Sequence, residues 1–226
     1  MTWATTLIQF PQGLVAIAIS VAILPTLSRQ AVNLTDAGFT AFKATLGHGL
    51  RLAIVLIIPA AVGLFILAEP VVALIFEHGK FNATDTAYTA LALRLYLLGL
   101  PFAAVDLLLV FAFYARQNTL TPALIGLVSL VAYMVVAIFL LPWYSFFALM
   151  IADSVKFLIH TTISVWLLGR AMGGYGHQRL MATISRTALA AAGMGVFTLG
   201  TMMVLERGFP LDRTIAHMVI VVGVRR

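Results

Sequence analysis

Cysteine is absent from the 226-residue sequence, and only 10% of its residues are charged. The first absence excludes a disulfide scaffold, a thiol nucleophile and a thiolate-bound metal. The second, against about 25% charged residues in soluble domains, excludes a globule that coats itself in water. Hydrophobic residues make up 62% of the chain, with mean hydropathy +1.05, so lipid must act as its solvent. Acidic residues are also scarce, with 8 Asp+Glu against 14 Lys+Arg and a net charge of +6. In a soluble protein that excess would raise the question of nucleic acid; here the placement of the charges decides it. Residues Met1 to Thr6 lack a basic stretch, and the apolar run after them is too long for a signal sequence, so no cleavable signal peptide is read. Missing too are HExxH, Gly-x-Ser-x-Gly, a paired-carboxylate motif and a phosphate-cradling glycine loop. The sequence therefore predicts no enzymatic constellation, no metal site and no cofactor.

What is present is a series of apolar runs. A spanning helix needs about 20 mostly apolar residues, at 1.5 Å each across roughly 30 Å of hydrocarbon. Six stretches qualify, over residues 5–27, 49–68, 86–114, 120–141, 146–168 and 186–205. A seventh, 214–224, is apolar but stops short before Arg225-Arg226, and reads as a truncated helix of a longer chain. The runs are uninterrupted rather than alternating, which excludes barrel strands of about ten residues. The expected fold is an all-α, polytopic membrane helix bundle with six full transmembrane helices and a truncated seventh. Pro11, Pro25, Pro59 and Pro101 lie inside spans, where neighbours can re-satisfy freed carbonyls. They mark kinks, and bent helices of this kind can line a cavity and pivot. Between spans, Thr35-Asp36 is an N-cap for a short interfacial helix near 36–47, carrying Phe39, Phe42 and Leu46 at helical spacing. Residues 69–81 read as a short apolar turn dipping into the interface. Gly173, Gly174 and Gly176 punctuate a loop, and Gly193, Gly195 and Gly200 suggest a close-packing face.

The basic residues orient the bundle. Arg29, Lys43, Arg51, Arg116, Arg170, Arg179, Arg186, Arg225 and Arg226 fall on one side; Lys80, Arg207 and Arg213 fall on the other. Nine against three is the asymmetry of cytoplasmic loops, and it places the N-terminus outside. The excess is then a determinant of topology, which leaves nucleic acid binding without support.

Four ionisable residues fall within spans: Arg94, Asp106, Asp153 and Lys156. Each costs at least about 2.5–3.5 kcal/mol at mid-membrane, so such groups face the bundle interior or water. Arg94 and Asp106 are twelve residues apart, roughly 120° around one helix, and do not share a stripe. Asp153 and Lys156 are three apart and can neutralise each other. They read either as an internal ion pair that permits insertion or as a charged lining that meets an anionic substrate. Arg94 can equally snorkel to the outer interface. His160, one turn beyond Lys156, reads as a buried hydrogen-bonding residue rather than a proton relay.

Several segments together resemble the MurJ/MviN family of lipid II flippases, within the multidrug/oligosaccharidyl-lipid/polysaccharide exporter superfamily. Gln9-Phe10-Pro11-Gln12-Gly13, leading to Leu24-Pro25-Thr26-Leu27-Ser28, is similar to the family's Phe-Pro-x-Gly helix and Leu-Pro-x-Leu-Ser element. Glu69-Pro70 through Leu74, Phe76, Glu77, Gly79 and Phe81 resemble its Glu-Pro…Leu-Phe-Glu-x-Gly-x-Phe turn. The loop from Tyr114 through Arg116, Asn118, Thr119 and Thr121 to Pro122 resembles its Tyr-Ala-x-x-Asp-Thr-x-Thr-Pro loop, with Asn118 in place of Asp.

The resemblance implies the C-terminal half of a fourteen-helix fold that moves a lipid-linked precursor with a polyprenyl tail by alternating access of two lobes. It implies three partners: that precursor, membrane lipids and a missing N-terminal lobe. Residues 1–168 would form a transport lobe of five transmembrane helices and 169–185 a cytoplasmic loop. Residues 186–226 would form a terminal helix pair with a lipid-facing groove. Arg51, Arg94, Asp153 and Lys156 are the expected cavity lining, in a bacterial plasma membrane. Where the family carries an Asp-Arg pair that helps to hold pyrophosphate, this sequence has Thr5-Thr6, and hydroxyls do not replace a guanidinium. The helix 120–141 also lacks the family's asparagines, with Ser129 and Tyr133 as its main polar groups. Two other classes stay open: a related polysaccharide or drug exporter, and a membrane-embedded polyprenyl-phosphate enzyme using Glu77 and His78.

Overall fold

The computed structural model describes residues 2–32, 35–77, 81–174 and 180–208, and every regular element among them is helical. The first span starts as α1 (Thr2–Pro11), widens into a π-helical segment (Gln12–Ile17) and continues as α2 (Ala18–Val32). Pro11 supplies the cause. It has no N–H, its ring crowds the preceding turn, and a lipid-embedded helix absorbs such a defect by local π adjustment. Pro25 and Pro59, by contrast, sit within helices that continue through them.

The next element, α3 (Asp36–Ile66), runs unbroken for 31 residues. The sequence suggests a separate interfacial helix near 36–47, but no breaker stands between it and the span. Gly47 and Gly49 are instead buried contact points. A Cβ on Gly49 would meet Ile23 at 2.8 Å and Leu108 at 3.2 Å, so α2 and α6 approach closely here. Thr35 caps the start, accepting the Gly38 N–H at 3.2 Å. A nine-residue helix, α4 (Ala68–Phe76), follows; it begins with Glu69 and Pro70 and is too short to cross.

The predicted span 86–114 is two helices, α5 (Ala83–Leu97) and α6 (Leu100–Ala115), bent by 43° at Leu98–Gly99. Asn82 and Asp85 form a capping box at the start of α5. Pro101 lies in the first turn of α6, where its missing donor costs nothing. Then come α7 (Leu120–Tyr144), α8 (Phe147–Ala171) and α9 (Leu180–Gly208). The last begins six residues earlier than the sequence pattern suggests, so it takes up part of the segment 169–185. The predicted seventh helix, 214–224, lies outside the described residues. Among the described residues five helical stretches are long and apolar enough to cross a membrane, and α5 with α6 make a sixth.

Helix α3 packs against α2, α6 and α9, while α8 packs against α7, α6 and α5. Two buried clusters stack along the bundle. One gathers Ile57, Val72, Leu93, Leu97 and Met150; the other gathers Leu27, Phe42, Leu50, Leu109 and Leu168. The outward faces of α7 and α9 are apolar and exposed, at Leu127, Val131, Ile138, Leu189, Val196 and Phe197. In water such faces would aggregate; in lipid they are the correct surface.

The loops that the basic residues assign to one side do meet at one end. Arg116 borders a cavity of about 200 Å³ with Gln30, Thr35, Asp36, Phe39 and Phe42. A Cβ on Gly173 would lie 4.0 Å from Lys43 Nζ. Aromatic contacts among Tyr88, Phe146 and Phe147 join the start of α5 to the α7–α8 turn.

The bend between α5 and α6 is held by α8. Gly99 N–H donates to the Tyr96 carbonyl at 3.0 Å, which releases the Leu95 carbonyl, and Ser154 Oγ donates to that group at 2.8 Å. A Cβ on Gly99 would sit 2.8 Å from Ser154 Cα, so only glycine lets the helices come this close. Replacing Gly99 with leucine should therefore separate α8 from the bend and cost ~1–3 kcal/mol. Ser154→Ala should cost ~0.6–1.7 kcal/mol, the range measured for interhelical hydrogen bonds in membranes. Unfolding in mixed detergent micelles measures both; a wild-type midpoint for Gly99→Leu would show that the close approach is dispensable.

Candidate functional site

Asp153, Lys156, Phe157, His160 and Ser164 recur at helical spacing and lie on one stripe of α8. Lys156 Nζ lies 2.5 Å from Asp153 Oδ1, and both side chains are 28% exposed. The ammonium also lies 4.2 Å from the Phe157 ring centroid and 5.9 Å from that of Tyr133 on α7. The pair is thus partly buried, and the aromatic faces share the positive charge.

Asp153 borders a cavity of about 160 Å³ with Gln9, Gln12, Tyr96, Gly99 and Phe157, and Thr5 closes another side. Three departures from plain apolar helix meet there: Gln12 opens the π-helical segment, Gly99 marks the bend, and Asp153 carries charge. π-Helical turns concentrate at functional sites because they rotate side chains out of the regular pattern. The volume has room for about five waters at roughly 30 Å³ each. A drug-sized ligand needs ~300 Å³ or more, so this cavity by itself holds water or a small polar group.

The four residues expected to line a cavity are not all gathered there. Asp153 and Lys156 touch. Arg94 stands apart, its Nε donating to the Phe65 carbonyl at 3.2 Å. That carbonyl belongs to the last turn of α3, where acceptors lack helical partners and a cation complements the helix dipole. Arg51 donates through Nε to the carbonyl of Gly47 in its own helix at 3.2 Å. It precedes Val62 by eleven residues, about 20° around the helix, and Val62 packs where α9 brings Gly195 against α3. Arg51 therefore shares the α9-facing side.

A second polar cluster joins α6 to α8. His160 Nδ1 lies 2.5 Å from Asp106 Oδ1, with side-chain exposures of 13% and 11%. Ser164 Oγ donates to the same carboxylate at 3.4 Å. The sequence reveals Asp106 as an embedded charge and His160 as a hydrogen-bonding residue. Their pairing across 54 positions needed the packing of two helices to be seen.

The loop motifs have structural roles. Phe10 is exposed, Pro11 precedes the π-helical segment, and a Cβ on Gly13 would meet nothing within 4 Å. Pro25 lies on an exposed part of α2. Phe76 faces Phe81, ring centroids 6.3 Å apart, and Glu77 Oε2 accepts the Thr86 hydroxyl at 2.8 Å. Gly79 and His78 lie outside the described residues. After α6 ends at Arg116, Gln117 takes a left-handed conformation (φ 57°). Asn118 Oδ1 then accepts the Thr121 N–H at 3.1 Å. Its amide oxygen does the capping that a carboxylate would do, which explains why Asn serves at a position where the resembling motif has Asp. Thr119 is the N-cap position of α7, and Pro122 is buried in its first turn.

The chain matches the family model described as "Lipid II flippase MurJ" over residues 1–218. It is 33% identical over 193 residues to a probable lipid II flippase MurJ of Bdellovibrio bacteriovorus, covering 85% of this chain and 36% of that protein. It is 35% identical over 196 residues to the corresponding protein of Haemophilus influenzae, covering 84% and 38%. A solved structure described as a lipid II flippase MurJ in an inward closed conformation superposes with a TM-score of 0.75. That match has 21% identity and covers 97% of this chain and 42% of the other, so it speaks to the fold. The chain thus spans between a third and a half of the length of the proteins it resembles. Its apolar spans and bacterial relatives make it a multi-pass protein of the bacterial plasma membrane, and a match of this extent means that it belongs to the lipid II flippase MurJ family.

Proposed function

We propose that this chain forms one lobe of a transporter that carries lipid II, the polyprenyl-pyrophosphate-linked peptidoglycan precursor, from one membrane leaflet to the other. The observation that carries the reading is the polar wall built inside an otherwise apolar bundle. Asp153, paired with Lys156, stands beside Gln9, Gln12, Tyr96 and the bend at Gly99, while Lys156 itself lies toward Phe157 and Tyr133. The cargo sets matching demands: its headgroup is anionic and rich in hydroxyl and amide groups, while its tail is hydrocarbon. Lys156 offers a cation to the pyrophosphate, and the glutamines offer neutral hydrogen bonds. The exposed apolar face of α9 suits a tail that never leaves the lipid.

In this reading the protein is a transporter rather than an enzyme, and a second helical lobe supplies the opposite wall. Alternating access then consists of rocking the lobes about the path, with the π-helical segment and the bend as compliant points. The threonines at 5 and 6 leave the α1 side of the path uncharged, and the α8 pair supplies the charge in its place. Arg94 serves the lobe by capping α3, and Arg51 lies toward α9, away from this wall.

Removing Lys156 alone would strand a partly buried carboxylate, which costs ~3–5 kcal/mol when the pair is buried. The informative variant therefore changes both residues. Reconstituted with the second lobe, the chain carrying Lys156→Ala and Asp153→Asn should fold, yet lose translocation of a labelled precursor in proteoliposomes by about tenfold, equivalent to ~1.4 kcal/mol on the barrier. Wild-type flipping by the folded double variant would remove the pair from the path. Arg94→Ala should behave in the opposite way, keeping translocation while lowering thermal stability by ~0.3–1 kcal/mol. Loss of flipping at unchanged stability would return Arg94 to the path.

A further inference from the structure

Of the two aspartates within the described spans, Asp106 and Asp153, only one is paired with a lysine or arginine. Asp153 is matched by Lys156 at 2.5 Å, and Arg94 is committed to the end of α3. That leaves Asp106, whose close partner is His160. With His160 neutral, the Asp106–His160 cluster holds one uncompensated negative charge in a low-dielectric setting, which disfavours the ionised carboxylate. One proton added to the imidazole turns the cluster into an ion pair of zero net charge. Histidine is the side chain whose ordinary chemistry allows this near neutral pH.

Geometry shows where that proton would go. Nδ1 and Asp106 Oδ1 are 2.5 Å apart, so one proton already lies between them. Ser164 Oγ, also on the Nδ1 side, is 3.4 Å from both atoms. Nε2 is on the other edge of the ring and is turned toward α7, where a Cβ on Gly126 would lie 3.9 Å away. Glycine at this position leaves that ring edge without a side chain over it. Ser129 of α7 is buried beside the same turn, its hydroxyl donating to the Gly126 carbonyl at 2.9 Å.

The other elements bring few charges to this point. Lys156 and Asp153 lie on the same stripe of α8, and Tyr133 faces Lys156 from α7. Tyr96 of α5 borders the cavity next to Asp153. The π-helical segment has no ionisable residue, and α2 has only Arg29, exposed in its last turn. On α3, His48 Nδ1 donates to the Ala44 carbonyl of its own helix, Arg51 is tied to Gly47, and Lys43 lies over Phe39 at 4.7 Å. Among the described residues no group of three or more His, Asp or Glu could hold a metal ion. A nitrogen beside a single carboxylate also suits a proton better than a hard cation, which prefers an all-oxygen shell.

We propose that Asp106 and His160 form a proton-binding site within the membrane, bridging α6 to α8 and opening toward α7 at Gly126. Binding forms an N–H bond at Nε2, and release breaks it. The bound state presents a donor to α7, and the free state presents a bare lone pair. Occupancy thereby alters the α7–α8 seam beside the polar wall. Its link to transport rests on the flippase reading above; the site itself does not.

The test uses the full chain labelled with 15N-histidine in lipid nanodiscs, with the His160 resonance identified by its loss in His160→Gln. Across roughly pH 5 to 8, where imidazoles ordinarily change charge, the resonance should pass from the imidazolium to the neutral form. Asp106→Asn removes the partner charge and should displace that transition. A resonance fixed in one form throughout the range, with circular dichroism unchanged, overturns the site. So does a transition that Asp106→Asn leaves in place. In proteoliposomes that also contain the second lobe, precursor flipping should depend on pH in the wild type, and His160→Gln should flatten that dependence. A two-lobed protein that titrates at His160 but moves no precursor would sink the flippase reading and leave the proton site standing.

Discussion

Hydrocarbon offers no hydrogen bonds, so every backbone group released by an irregular turn must find a partner inside the protein. The packing of α8 on the bent α5–α6 pair follows from this constraint. The bend at Gly99 frees the Leu95 carbonyl, Ser154 takes it, and the absence of a Cβ at Gly99 lets Ser154 come near enough to do so. About two turns further along, Thr161 donates to the Phe102 carbonyl at 2.9 Å and ties α8 to α6 as well. These contacts fix the rotation of α8 about its axis. They hold one face against α5 and α6 and set the direction in which the stripe of Asp153, Lys156 and His160 must point.

Charge placement follows from that rotation. A lysine, two aspartates and a histidine would be intolerable facing acyl chains, and each has a partner on its own or a neighbouring helix. The two clusters differ in kind. Asp153–Lys156 is local, three residues apart on one helix, and survives any movement of α8 as a rigid body. Asp106–His160 ties two helices together, so relative motion of α6 and α8 changes it. In the proposed transporter the first would meet the substrate while the lobe moves, and the second would register that movement.

Much of this was legible in the sequence, for physical reasons. Lipid demands long apolar runs, so the spans could be counted from composition, and the basic loops sorted the ends that Arg116, Lys43 and Gly173 do share. The ion pair followed from a spacing of three. Irregular backbone was harder to see. Pro59 and Pro101 look alike as sequence signals, yet α3 passes through Pro59 while α6 begins beside Pro101. What decides between them is Ser154, a residue of another helix, and single-segment patterns carry no information about such a partner. The same limit hid the Asp106–His160 pair. It also hid the assignment of Arg94, whose depth in its span fits a cavity or a helix end equally until the end of α3 is located.

The position of the compliant points gives the arrangement its mechanical sense. A lobe that rocks about a path must deform somewhere, and a regular α-helix resists bending along its whole hydrogen-bond ladder. The π-helical segment after Pro11 and the Gly99 bend are places where that ladder is already interrupted, and both border the cavity beside Asp153. Deformation there moves the polar wall directly, without first being transmitted through packed side chains. In the proposed transporter, an anionic headgroup drawing on Lys156 would pull on α8, which is bonded to the bend through Ser154. Binding and bending would then be joined through that hydrogen bond, a direct link between recognition of a charged group and movement of the helices around it.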